Sequence, residues 1–185
     1  MSGPFTTTAR LPRSGNTALA AGALVQAAVG AEFVLAGLSK AVDADFSTQF
    51  RAFVKASPGA TSGPLSALAQ SLLVPNAELF AQLAKWTELL AGAVLLVAAL
   101  EVLRRRLSAP LGAPHAYEPL LALLTSVSAF ALAGMSLTIF LLQGARLPMV
   151  NPGFAFTSPI AIELLLVPLA LGIAWLELGR FRALK

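Results

Sequence analysis

Glu88 lies inside the apolar run "KWTELLAGAVLLVAALEVLRRR" (85–106). A carboxyl group in apolar surroundings either meets a cation or takes up a proton and becomes a hydrogen-bond donor. In the second state it can exchange protons with a ligand that carries acceptor oxygens. Two cations are within sequence reach: Lys85, one turn before Glu88, and Lys40, at the end of an earlier apolar run. Glu32 and Glu163 stand inside two further apolar runs, and Arg146 follows a fourth. Glu88, Lys40 and Glu32 are the candidate proton-handling groups. Glu88, Lys40, Lys85, Glu163 and Arg146 are the candidate ligand contacts.

The elements that must position these residues follow from composition. Hydrophobic residues make up 57% of the 185 residues and charged residues 12%, against about 25% charged in an average soluble domain. A helix crosses the hydrocarbon with about 20 mainly apolar residues, and four stretches meet that length: roughly 17–38, 84–103, 120–143 and 155–178. The expectation is an all-α, four-helix membrane bundle forming a single membrane domain over 1–185. Pro168 should kink the fourth span or widen its contact with a neighbour. The net charge of +4 needs no nucleic-acid partner, because basic residues near span ends orient helices and meet lipid headgroups.

Of the 13 lysines and arginines, Arg10, Arg13, Arg104, Arg105, Arg106, Arg180, Arg182 and Lys185 fall on one side of the four spans. Lys40, Arg51, Lys55, Lys85 and Arg146 fall on the other. That imbalance places both termini in the cytoplasm. The expected location is a bacterial or archaeal plasma membrane. An alternative for the first stretch is a signal peptide cleaved near Val42-Asp43-Ala44. Its apolar run exceeds the usual length and contains Glu32, so an uncleaved helix is the better reading.

The outer connection, residues 41–83, is too long for a turn. Phe46, Phe50 and Phe53 recur at helical spacing with Asp43 or Asp45 available as a cap, which predicts a short amphipathic helix at the interface. "PLSALAQSLLV" predicts a second short helix, stopped at Pro75. Both pieces either cover the bundle's mouth or form a lid over a site.

By residue count Glu32, Glu88 and Glu163 fall roughly 6–12 Å below the outer boundary, as one layer. Ala84, Glu88, Ala91, Leu95 and Ala98 follow alternating steps of four and three, as do Ala21, Val25, Ala28, Glu32, Leu35 and Ser39. Ala122, Ser126, Ala129, Ala133 and Ser136 make a third seam. Small residues let membrane helices approach closely, so these seams are expected to face the bundle and to point Glu32 and Glu88 inward. Two readings stay open. The layer is an ion-pair network that fixes helix register, or it lines a pocket that exchanges protons with a quinone-like or other amphipathic ligand.

Glu101 beside Arg104 and Arg105, and Glu177 facing Arg180, read as interfacial salt bridges. His115 reads as a solvated loop residue, and Trp86, Trp175 and Tyr117 as aromatic anchors. Gln143, Arg146 and Asn151 surround the third outer connection, where "VNPGF" is a turn. With no cysteine and a single histidine, the chain cannot form disulfides, thiolate metal sites or a bis-histidine haem. No metal or haem is expected.

Four pieces resemble the DoxX-like family of small four-helix membrane proteins, which includes the DoxD subunit of thiosulfate:quinone oxidoreductases. They are "FVLAGLSKAVD" (33–43), with its glycine-x-x-lysine end to the first span, "FSTQFRAFV" (46–54), "ELLAGAVLLVAAL" (88–100) and "IELLLVPLAL" (162–171). The resemblance covers most of the chain after residue 18. Lys40 and Glu88 match best by position, and Glu163 less well. It implies a membrane subunit of an oxidoreductase complex, with quinone nearby and electrons supplied by a partner subunit. The alternative is a non-catalytic assembly or structural subunit, and a small transporter is less favoured because broken repeats are missing.

Overall fold

The computed structural model describes residues 14–107, 117–148 and 160–185. Helix α1 (Ser14–Val42) is followed by three short helices, α2 (Phe46–Ala56), α3 (Pro58–Thr61) and α4 (Ser66–Leu68), and by a π-helical turn (Ala69–Leu73). The long helices α5 (Ala77–Leu107), α6 (Glu118–Leu142) and α7 (Ile162–Ala183) complete the chain. Among the described residues there is no strand. Among the described residues four helices are long and apolar enough to cross a membrane, namely Ala20–Val42, Ala77–Arg104, Glu118–Leu142 and Ile162–Ala183. The molecule is an all-α, multi-pass membrane bundle.

Helix α1 packs mainly on α5, and α6 on α7. The two pairs join through α5 against α6, around a core of Val29, Phe33, Leu95, Leu132, Ile173 and Ala174 drawn from all four long helices. The approach of α1 to α5 is set by glycine. A Cβ on Gly37 would stand 2.7 Å from the Leu89 nitrogen, one on Gly30 2.8 Å from that of Leu96, and one on Gly92 2.8 Å from that of Val34. Those contacts fix an antiparallel register in which each step along α1 is matched by a step back along α5.

The segment between α1 and α5 forms a cap with its own dry core of Val54, Ala60, Ala69 and Leu73, closed by Leu142 from α6. Phe46 and Phe50 pack at a tilt with ring centroids 6.1 Å apart. Asp45 occupies the N-cap position of α2 without a side-chain capping bond, while the Asp43 carboxylate accepts the Asp45 N–H at 2.9 Å. Gly59 seats the cap on the bundle, since a Cβ there would fall 2.0 Å from the Leu141 carbonyl oxygen.

Two helix starts differ most from expectation. Helix α5 begins at Ala77 rather than near residue 84, because hydropathy finds the apolar window and not the helix that carries it up into the cap. Helix α7 begins at Ile162 rather than at 155, after the extended Ala161. It runs through Pro168 as one helix, with the proline on its exposed face. His115, Asn151 and the "VNPGF" turn lie outside the described residues.

Candidate functional site

Lys40 and Glu88 form an ion pair through the lysine Nζ and the carboxylate Oε2. Glu88 is 3% exposed and Lys40 is half-buried. The glycine-x-x-lysine sequence explains the geometry. Gly37 lets the α1 backbone touch Leu89, and Lys40, one turn on, meets the carboxylate of the preceding residue, Glu88. Lys85 is not the partner. Its ammonium lies over the Trp86 ring, 5.6 Å from the centroid.

The expected layer of three carboxylates, with Glu32 and Glu88 pointing inward, does not form. The seam Ala21, Val25, Ala28, Glu32, Leu35, Ser39 is the exposed face of α1. Ala23, Gln26, Val29, Gly30, Phe33 and Gly37 are the buried face. The period is the expected one and the phase is wrong, because both faces of α1 carry small residues. Glycine at positions 30 and 37 is the signal for the true contact, since glycine permits the closest backbone approach. Glu32 therefore points away from the bundle. The glycine register sets Glu88 level with Leu38, so Glu32 lies about 9 Å deeper at the helical rise per residue.

The other two seams are buried throughout, apart from the half-buried Ala84. Glu163 is the second residue of α7, at the capped end, and accepts a hydrogen bond from Gln143 Nε2 at 2.9 Å. Gln143 follows the last turn of α6. Beside it opens a cavity of about 390 Å³ lined by Phe53, Ser57 and Pro58 of the cap, Phe140 of α6, Gln143 just beyond it, and the exposed Arg146. Lys40 and Glu88 do not line it. The candidate residues thus fall into four places: the Lys40–Glu88 pair between α1 and α5, Lys85 over the Trp86 ring, Glu32 outside, and Glu163 with Arg146 beside the cavity. The aromatic wall from Phe53 and Phe140 has no sequence signature, because it joins residues nearly half the chain apart.

At the other end of the bundle Arg180 stands between two buried carboxylates, 3.4 Å from Glu177 and 3.9 Å from Glu118. Glu101 accepts two bonds from Arg104, both at 2.9 Å, and one from the Tyr117 hydroxyl at 2.8 Å. Inside the bundle the buried Gln26 amide donates to the Leu95 carbonyl, and Ser126 to that of Ala174. These polar groups tie helices together. Among the described residues no cluster of histidine or carboxylate side chains has the arrangement of a metal site.

Comparison of the chain with family models, curated proteins and solved structures finds no match.

Proposed function

We propose that this chain is a DoxX-like membrane subunit of an oxidoreductase complex, and that it holds a quinone headgroup in the cavity between the cap and the α6–α7 end. The observation that supports this reading most is the cavity itself. It has aromatic and proline walls suited to a ring, and a guanidinium and an amide that donate toward acceptor oxygens. Quinone reduction takes up two electrons and two protons. We take the electrons to come from a partner subunit, since a chain with no cysteine and one histidine offers neither thiolate ligands for a cluster nor a bis-histidine pair for a haem. Glu163, tied to the cavity wall through Gln143, is the carboxyl positioned to relay protons. The Lys40–Glu88 pair holds α1 against α5 and keeps the bundle under the cavity in register.

The chain, purified in mild detergent with its partners, should carry extractable quinone. Arg146→Ala and Phe140→Trp should each lower that content several-fold while leaving the partners bound. Partners without quinone in the unaltered complex would sink the quinone reading.

A second reading, a non-catalytic assembly subunit, is favoured by two observations. Glu88 is satisfied by Lys40 within the chain, and the α1 seam is exposed rather than packed. Complete redox turnover by the partners after Arg146→Ala would select it.

A further inference from the structure

A charged side chain inside a membrane span almost always faces the bundle interior, a water-filled cavity or a partner of opposite charge. Among the described residues Glu32 does none of these. It lies near the middle of the Ala20–Val42 span, on the exposed face of α1, and makes no hydrogen bond or ion pair among the described residues. Above and below Glu32 the same face presents Ala21, Ala28 and Ser39, small enough for a second helix to approach closely. A lipid acyl chain offers the carboxylate nothing.

We propose that the outward face of α1, centred on Glu32, is the docking surface for a membrane-spanning helix of a different polypeptide that presents a lysine or arginine at mid-membrane. The inference rests on the chain being a subunit of a larger complex and names the chemistry of the contact. Charge excludes the alternative of a second copy packed by the same face. A two-fold axis there would bring Glu32 against Glu32 in a low dielectric. The neighbouring lysines are no substitute, for Lys40 is committed to Glu88 and Lys85 to the Trp86 face. Each partner alone would carry an uncompensated charge in the bilayer. Docking removes both at once, so the contact selects for the correct partner as well as stabilising it.

The test places a photo-crosslinking side chain at Ala28 or Leu35 in the full-length protein in native membranes. Exposed positions Val127 on α6 and Leu176 on α7 serve as comparison faces. Adducts from Ala28 and Leu35 should map to one span of another protein that carries a basic residue near its centre. Glu32→Lys should reduce those adducts at least tenfold, and reversing the charge of the mapped basic residue should restore them. Glu32→Leu should also lose them while leaving the isolated subunit as heat-stable as before, which separates docking from folding. Adducts to lipid alone, to α1 of another copy, or to an uncharged span would overturn the proposal, as would insensitivity to Glu32→Lys. Protein adducts from Val127 or Leu176 only would overturn it too, moving the interface while keeping the subunit reading. No protein adduct from any face would remove both.

Discussion

Lys40 and Glu88 show how far residue types and spacing carry a prediction inside a membrane. Placing Glu88 on a seam of small residues was enough to turn it inward. The choice between Lys40 and Lys85 as its partner was not legible, because both have long flexible stems within reach and only the α1–α5 register decides. A carboxylate left buried without its cation is strongly destabilising, by roughly 3–5 kcal/mol in fully buried pairs, and less here because the lysine side chain is 27% exposed. Lys40→Ala should therefore lower the melting temperature in detergent clearly. Lys40→Met combined with Glu88→Leu should recover most of the loss, since an apolar pair of similar volume removes the stranded charge. If the double variant keeps quinone content, the pair acts only as a structural tie. If it folds and loses quinone, the pair reaches the ligand.

At the scale of elements, close approach depends on what each glycine faces. Gly37 and Gly30 abut backbone atoms of α5 that have nowhere to retreat, whereas a Cβ added to Gly134 or Gly172 would meet no atom within 4 Å. The same substitution should thus give opposite results. Gly37→Ala should destabilise by about 1–3 kcal/mol through overpacking, while Gly134→Ala and Gly172→Ala should be neutral or slightly stabilising, all read by thermal unfolding. Gly59→Ala should loosen the cap from α6 and raise protease sensitivity between α2 and α5 before the bundle itself melts. The short cap helix α2 was legible from its phenylalanine spacing and the α5 and α6 seams from their small residues. The phase of α1 was not, because two faces of one helix satisfied the same pattern and only the facing helix distinguishes them.

For the whole molecule, four spans follow from hydropathy and length alone, and the described residues contain four helices of that kind. The cap's packed core and the cavity beside it were not legible, because they join segments far apart in the chain. The direction of insertion rests on the distribution of arginines and has a direct test. The chain contains no cysteine, so a single introduced thiol is a unique reporter. Ala67→Cys on the cap should react with a membrane-impermeant maleimide on intact cells, and Ala183→Cys only after permeabilisation. The reverse pattern would invert the topology and put the cavity on the cytoplasmic side.

The two helix pairs are fastened at opposite ends. Helices α1 and α5 are joined by Lys40 and Glu88 at the capped end, while α6 and α7 are clamped by Arg180 between Glu118 and Glu177 at the other. At the capped end α6 and α7 are tied by the Gln143–Glu163 bond, in which neither side chain is a cation. Mechanically, the second pair is a clothes-peg with its spring at Arg180 and its jaws beside the cavity. A small splay there widens the opening without breaking an ion pair, so amide hydrogens in the last turn of α6 and the first turn of α7 should exchange faster than those around Lys40.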